Sequence, residues 1–343
     1  MINIQNIYYM LAYAFKVLNK EDYSKFGTES FDNVLNLYSA ILATGVNQLI
    51  KSGLARDYLV SEEITSHPKG RFNISDSIKQ NTLMDKKLNC SNDEFSSNIL
   101  LNQILKSTML TLLKSNEVDK THKSELKKAY PYFAHIDVID LKTVAWNRIT
   151  YYKNNMIYKM LINICYLTTK ALLQNNQSGE LSLIKHIYDK DFHRLFERFV
   201  LRYYEKHYPQ YHPASPQINW NLDEEDIEFL PRMQTDIVLK TEAQQLIIDT
   251  KLYKNMMQEH HATFKQHSSN LYQIFAYVKN MDKHKTGNVS GMLLYALSQQ
   301  GVKPDKLYHI DGNAFEVRTI DLNSDFSDIS NQLNSIAEKY LST

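Results

Sequence analysis

Two strand-like segments joined by a short polar turn constrain the fold of this chain most strongly. Met233–Lys240 and Gln245–Tyr253 are separated by the polar residues Thr241–Gln244. This pattern predicts a β-hairpin, because the turn brings the chain back alongside its first strand. The second segment also contains Leu246, Ile247 and Ile248 in sequence, and helices on the faces of a small mixed sheet are the natural way to bury such strands.

The hairpin carries two aspartates and a lysine in a pattern suited to metal-dependent hydrolysis. Asp249 and Lys251 are two residues apart, so they emerge on the same face of their strand, and Asp236 on the partner strand can converge on them. Two carboxylates held this close favour a divalent cation between them, and oxygen ligands with open water positions suit Mg²⁺. A nearby lysine can orient or deprotonate a water, or neutralise charge on a pentacoordinate phosphate.

Asp-x-Lys alone is a weak signal, and the chain contains two further copies. Asp85-Lys86-Lys87 lies in a polar segment, and Asp140-Leu141-Lys142 follows a possible strand at His135–Ile139 but lacks an acidic strand upstream. Only the copy at Asp249 has Asp236 before it and a helix with Gln273 and Tyr277 on one face after it.

The carboxy-terminal half predicts the element order α, β, β, α, β, β, α. A helix with one apolar face precedes the hairpin, and Pro209, Pro213 and Pro216 end it. After the hairpin we expect a helix at about 263–279, a buried strand at 292–297, a strand at 315–322 and a closing helix at 326–341.

The amino-terminal half predicts a mainly helical domain. Helical patterns cover residues 6–15, 31–54, 98–114 and 156–173, and Tyr58–Thr65 and Lys69–Ile74 are expected to form a projecting β-hairpin. The polar stretch Gln174–Gly179 predicts a boundary between domains at 1–180 and 181–343. The predicted fold class is therefore α/β (α+β), with a helical adaptor domain followed by a mixed sheet flanked by helices.

The composition of the chain excludes several classes of function. The 39 Lys and Arg residues nearly balance the 38 Asp and Glu residues, so no global basic field attracts nucleic acid. The two cysteines cannot form a disulfide framework, and the absence of a leader or an apolar span predicts a cytoplasmic protein. None of the nine glycines is followed by lysine, which excludes a G-x-x-x-x-G-K-[ST] phosphate loop, so any nucleotide-driven motor must be a partner.

The hairpin and its following helix resemble the PD-(D/E)xK nuclease core, and the surrounding sequence resembles the McrC family, the nuclease subunits of modified-cytosine restriction systems. The segments that carry this resemblance are Asn6–Ala14, Lys69–Arg71, Leu230–Ile237, Ile247–Lys254, Ser269–Gln273 and Gly291–Tyr295.

The resemblance implies a Mg²⁺-dependent endonuclease that cleaves double-stranded DNA when joined to McrB, an AAA+ GTPase that recognises methylated cytosine and is contacted by the amino-terminal domain. It implies that Asp236 and Asp249 are metal ligands, that Lys251 acts on the water or the transition state, and that Gln273 supports them. Thr250 could add its backbone carbonyl to the metal. Glu197 matches a helix glutamate of many such nucleases, although an ordinary solvated acid remains an alternative.

Several basic residues are candidates for contacts outside the chemistry. Lys254, His260, His261 and Lys265 follow the active-site strand and could contact the DNA backbone, although a solvated loop remains open. Lys69 and Arg71 flank Gly70 and are candidate partner contacts, by analogy with the family, whereas a simple turn is the alternative.

Two other functions remain possible at this stage. A non-catalytic scaffold that activates the partner's GTPase would keep the fold without using the acidic residues. A standalone nuclease would need no motor, but the near-zero net charge argues against strong unaided DNA binding.

Overall fold

The computed structural model describes residues 3–15, 26, 29–151, 156–175, 190–222, 228–252, 257–260, 263–266, 268–297 and 304–341. These residues form helices and several sheets, which agrees with the mixed fold predicted from the sequence. Within this part of the chain, no helix combines the length and apolarity needed to cross a membrane.

The helices are α1 (Ile4–Ala14), α2 (Val34–Ser52), α3 (Ile74–Lys79), α4 (Leu100–Lys114), α5 (Lys120–Ala129), α6 (Met156–Asn175), α7 (Lys190–His207), α8 (Ser268–Met281) and α9 (Phe326–Leu341). The strands are β1 (Asp57–Thr65), β2 (Arg71–Phe72), β3 (Leu88–Ser96), β4 (Gln217–Ile218), β5 (Met233–Gln234), β6 (Ile237–Lys240), β7 (Gln245–Leu252), β8 (Met257–His260), β9 (Thr263–Gln266), β10 (Val289–Leu297), β11 (Lys306–Ile310) and β12 (Asn313–Asp321).

The chain divides into two compact units. Residues 33–173 form one, here called the insert unit, and residues 1–32 with 174–343 form the other, here called the main unit. The sequence-based boundary at 180 instead assigned the first 32 residues to the amino-terminal domain. The structure assigns these residues to the main unit because α1 packs against α7 and α9.

Aromatic and polar contacts hold α1 on the main unit. Tyr9 stacks on Phe326 of α9 with ring centroids 4.1 Å apart, and Tyr13 packs edge-on against Phe199 of α7. The amide of Asn6 donates hydrogen bonds to the backbone carbonyls that follow β12. Tyr9 and Tyr13 of α1 therefore serve in packing within the main unit.

A three-stranded sheet in the insert unit corrects the predicted hairpin. β1 pairs antiparallel with β3 over nine residues, and β2 pairs with the other edge of β3, so β1 and β2 do not pair with each other. The sequence of β3 lacks an apolar alternation, because much of this sheet is exposed to solvent. The possible strand at His135–Ile139 is also absent, since Lys106 and Ser107 of α4 bind the backbone of Ile136 and Ile139 in place of a partner strand.

The main unit is built on a five-stranded mixed sheet with the order β11-β12-β10-β7-β6. β6 and β7 form the predicted antiparallel hairpin, while β10 runs parallel to β7 and β12. The expected helix at 263–279 begins only at Ser268, because residues 263–266 pair with β8. Strand β11 was not predicted, and α9 closes the chain as expected.

Close packing of α8 on β10 positions the helix over β7. A Cβ on Gly291 would lie 2.8 Å from Val278 and 2.9 Å from Ile274, both on α8. The missing side chain at Gly291 therefore lets the helix approach the sheet. This approach places Gln273 of α8 above β7.

Asp282 ties the end of α8 to the loop before β10. Its carboxylate accepts hydrogen bonds from the backbone N–H groups of Thr286 and Gly287 at 2.8 and 2.9 Å, and from the Asn313 amide at 2.8 Å. Burial by itself would raise the pKa of Asp282, but these hydrogen bonds outweigh it and lower the pKa to about 2.

Asp282→Ala is expected to lower the free energy of unfolding by about 1–3 kcal/mol at pH 7, because several buried donors lose their acceptor. The ionised carboxylate contributes stability above its unfolded pKa of about 3.9, and this contribution disappears as pH falls towards 2. Urea unfolding at stepped pH should therefore show the difference between the parent and Asp282→Asn shrinking below pH 4. The exposed Asp305→Asn is the control, and a difference that is constant with pH would contradict the assignment.

Candidate active site

Asp236, Asp249 and Lys251 come together at one end of the β6–β7 hairpin. Strand β6 begins at Ile237, which pairs with Ile248, so Asp236 and Asp249 lie just beyond the last paired residues of the two strands. Asp249 is 1% exposed and Lys251 is 9% exposed, so both side chains are nearly removed from solvent. The convergence predicted from strand periodicity is present in the structure.

Thr250 holds Asp236 in place. The backbone N–H and the hydroxyl of Thr250 both donate to Asp236 Oδ2, at 2.7 and 2.8 Å. Because Thr250 lies between Asp249 and Lys251 on β7, these bonds fix Asp236 relative to both residues. The side chain of Thr250 therefore contacts the site itself, through its hydroxyl on Asp236, although strand alternation places it on the opposite face of β7 from Asp249 and Lys251.

A chain of polar contacts extends from Asp249 to α8. Lys251 Nζ lies 2.7 Å from Asp249 Oδ2 and donates to Gln273 Oε1 at 3.2 Å. The Gln273 amide donates to the Tyr277 hydroxyl at 2.8 Å, and that hydroxyl donates to the Gln234 carbonyl at 3.0 Å. Gln273 and Tyr277 therefore act as one support for the lysine, as their helical spacing indicated.

Helix α7 faces the same site with two side chains that are four residues apart. His193 Nε2 lies 2.6 Å from the carbonyl oxygen of Thr250. Burial and the charge of Asp236 raise the pKa of Glu197 to about 7, while Arg194 opposes the shift. Glu197 therefore experiences the charges of Asp236 and Asp249, which an acid on a solvated helix face would not.

The electrostatics of the site disfavour negative charge. Burial raises the pKa of Asp249 to about 6 against the lowering effect of Lys251, and the Asp236 carboxylate adds to the rise. Asp249 Oδ2 is buried, and the Lys251 ammonium lies 2.7 Å from it. The site thus has acidic oxygen atoms available to a further cation.

The structure gives no preformed cluster of three metal ligands. Among the described residues, no three His, Cys, Asp or Glu side chains are grouped as a metal site, so Glu197 does not join the two aspartates in such a group. The carbonyl of Thr250 is engaged by His193, but a carbonyl oxygen has two lone pairs and can accept a second partner.

The structure describes only some of the residues that were predicted to contact DNA or a partner. Lys69 and Arg71 are exposed on either side of Gly70 in the insert unit. Lys254 and His261 lie outside the described residues, and for His260 and Lys265 the structure describes only their positions in β8 and β9. Their predicted contact with DNA stays a prediction.

Sequence reasoning missed His193. The sequence contained a signal for this residue, since His193 lies one helical turn from Glu197, on a helix that precedes the hairpin. A single histidine on an amphipathic helix is nevertheless unremarkable until the fold places the helix beside β7.

Comparison with known proteins decides the family. The model of the family described as McrBC 5-methylcytosine restriction system component matches residues 3–296. This chain belongs to that family. It is 28% identical to the Type IV methyl-directed restriction enzyme EcoKMcrBC of Escherichia coli (strain K12), over 99% of this chain and 98% of the relative.

A solved structure supports the fold of this McrBC family member. The fold of this chain resembles that of a chain in the half-complex from the tetradecameric assembly of Thermococcus gammatolerans McrB AAA+ hexamers with bound McrC. The match has a TM-score of 0.50 and 16% identity, and covers 97% of this chain and 76% of the other. The family match includes the whole acidic hairpin and α8.

Proposed function

We propose that this chain is the endonuclease subunit of a methylcytosine-dependent restriction complex, with a PD-(D/E)xK site that hydrolyses DNA phosphodiesters. The observation that carries the proposal is the convergence of Asp236, Asp249 and Lys251 at the end of the β6–β7 hairpin, in a chain of the McrBC family. The E. coli relative is a methyl-directed restriction enzyme by name, which agrees with this activity.

The donor set fits Mg²⁺. Asp236 and Asp249 supply carboxylate oxygens, the Thr250 carbonyl can add a third, and hard divalent cations prefer such ligands. Asp249 Oδ2 already lies 2.7 Å from the Lys251 ammonium, so this buried position suits positive charge. Glu197 remains a candidate further ligand, directly or through a water. When bound, Mg²⁺ would polarise the scissile phosphate and neutralise charge as it develops.

The residues of the chain position the reaction around that phosphate. Lys251 carries a positive charge that Gln273 and Tyr277 hold in one orientation, so it can direct a water in line with the phosphorus or stabilise the developing negative charge. The Thr250 hydroxyl binds the Asp236 carboxylate and so holds it next to Asp249 and Lys251. The expected products carry a 5'-phosphate, as the family resemblance implies.

The insert unit provides a surface suited to a protein partner. Its exposed large apolar side chains include a group near the short helix α3, here called the apolar tip, which consists of Phe72, Ile74, Ile78, Leu83 and Met84. Apolar groups of this kind on a soluble protein commonly mark an interaction site. The solved relative is bound to McrB AAA+ hexamers, and we assign the corresponding AAA+ GTPase as the partner of this chain.

Lys69 and Arg71 flank Gly70, and Arg71 directly precedes Phe72, the first residue of the apolar tip. Gly70 has φ of +74°, and a Cβ there would lie 2.4 Å from the backbone oxygen of Ser91, so only glycine lets the turn approach β3. The fixed turn presents two exposed cations for contact with the partner.

The proposal is tested by cleavage of methylated plasmid DNA with Mg²⁺, in the presence and absence of the cognate AAA+ partner and GTP. Cutting that requires both and is lost in Asp249→Ala supports a motor-dependent nuclease. Cutting by the chain with Mg²⁺ alone would support the standalone alternative. Unchanged cutting by Asp249→Ala would leave this chain as a scaffold that activates the GTPase.

A further inference from the structure

We propose that His193 is a positioning residue of the active site, which fixes the Thr250 peptide and thereby the metal-binding geometry of Asp236 and Asp249. This inference rests on the proposed function, because the metal is part of it. It adds a residue of α7 to a site otherwise built on the β6–β7 hairpin and α8.

The first step of the argument is that β7 extends beyond its partner strand at the site. The last pair of the β6–β7 ladder joins Ile237 to Ile248, so Thr250 has no residue of β6 opposite it. Its backbone N–H bonds instead to the Asp236 side chain at 2.7 Å. Because the N–H and C=O of one strand residue point to the same side, the Thr250 carbonyl also faces the side where β6 has ended.

The second step is that His193 replaces the missing strand as the partner of that carbonyl. Its Nε2 lies 2.6 Å from the Thr250 oxygen, and a carbonyl can only accept, so Nε2 must carry the proton. Thr250 is fully buried. Without His193, this buried carbonyl would lose a donor that no strand supplies.

The third step is that Thr250 transmits the contact to both aspartates. Thr250 follows Asp249 directly, and its N–H and hydroxyl hold Asp236 Oδ2. Its carbonyl, which His193 binds, belongs to the next peptide, the one that leads to Lys251. Rotation of the Thr250–Lys251 peptide without its His193 partner would change the backbone angles of Thr250 and so shift the hydroxyl and N–H that orient Asp236 relative to Asp249. Outer partners that orient metal ligands typically contribute about 10–100-fold in metal affinity or activity.

A second histidine on the same helix offers a matched control. His207 of α7 lies 2.8 Å from the Tyr13 hydroxyl through its Nε2, so it also makes one polar contact and joins two helices. Its contact is with α1 rather than β7. Loss of His207 tests the effect of removing any structural histidine from α7.

The experiment measures Mg²⁺ binding to the full chain by calorimetry, and the Mg²⁺ dependence of DNA cleavage with the partner and GTP. His193→Ala is expected to raise the Mg²⁺ dissociation constant and the Mg²⁺ concentration for half-maximal cleavage about 10-fold or more, with cleavage largely recovered at saturating Mg²⁺. His193→Gln should recover much of the affinity, because its amide can donate to the same carbonyl. His207→Ala should leave both quantities at the parent value.

Three results would overturn the inference: parent-like Mg²⁺ binding in His193→Ala, His193→Gln as defective as His193→Ala, or an equal shift in His207→Ala. Asp249→Ala, measured alongside, separates this inference from the proposed function. If Asp249→Ala binds Mg²⁺ and cuts DNA normally, the proposed function itself fails. If only the His193 variants behave like the parent, the nuclease assignment stands and the positioning role is wrong.

Discussion

Lys251→Met is expected to lower the rate of DNA cleavage about 1,000-fold or more, which corresponds to several kcal/mol of lost transition-state stabilisation. The lysine is nearly buried and lies 2.7 Å from Asp249 and 3.2 Å from Gln273, so both side chains hold its charge at the site. Single-turnover cleavage at saturating Mg²⁺, partner and GTP is the measurement.

Lys240→Met is the matched control for this change. Lys240 lies at the exposed end of β6, on the same hairpin as Lys251. Its replacement should leave cleavage within about twofold, because an exposed surface substitution has little effect on folding. Stimulation of GTP hydrolysis should survive in Lys251→Met, since we assign the partner contact to the insert unit. Cleavage by Lys251→Met at the parent rate would move the chemistry to other residues.

Ile78→Asp combined with Met84→Asp is expected to weaken binding of the AAA+ partner about 30-fold or more. The two side chains are 58% and 86% exposed, so they are available to a partner and contribute little to the core. An apolar anchor buried in an interface commonly contributes about 2 kcal/mol or more, and a new carboxylate there adds a desolvation cost. Partner affinity and GTPase stimulation measure the effect.

Leu307→Asp is the control for the apolar tip. Leu307 is 40% exposed on β11 of the main unit, so it tests a new charge on an exposed apolar position outside the proposed interface. The melting temperatures of both variants should remain close to that of the parent. Unchanged partner affinity in the double variant would remove the apolar tip from the interface.

The hairpin and the grouping of the candidate site residues could be predicted because their signals are local. The pairing of β6 with β7 follows from two apolar segments and a short turn, and the shared face of Asp249 and Lys251 follows from strand alternation. The pairing of Gln273 with Tyr277 likewise follows from one turn of helix. Each inference needed only neighbours in sequence.

The elements that could not be predicted depend on contacts between distant segments. β3 is a polar strand on an exposed sheet, so its sequence carries no burial pattern, and its pairing with β1 decides that the expected hairpin does not form. β11 is an edge strand with all five residues exposed, and it lacks the pattern for the same reason.

The sequence by itself determined the grouping of the candidate site: two aspartates and a lysine on a hairpin, with a glutamine on the next helix that contacts the lysine. Only the tertiary structure decided that α1 packs on the main unit, that His193 binds the Thr250 carbonyl, and that burial raises the pKa of Asp249 and Glu197. The physical reason is that strand and helix periods act over a few residues, whereas desolvation and hydrogen bonds to an unpaired strand end depend on which distant segments the fold brings together.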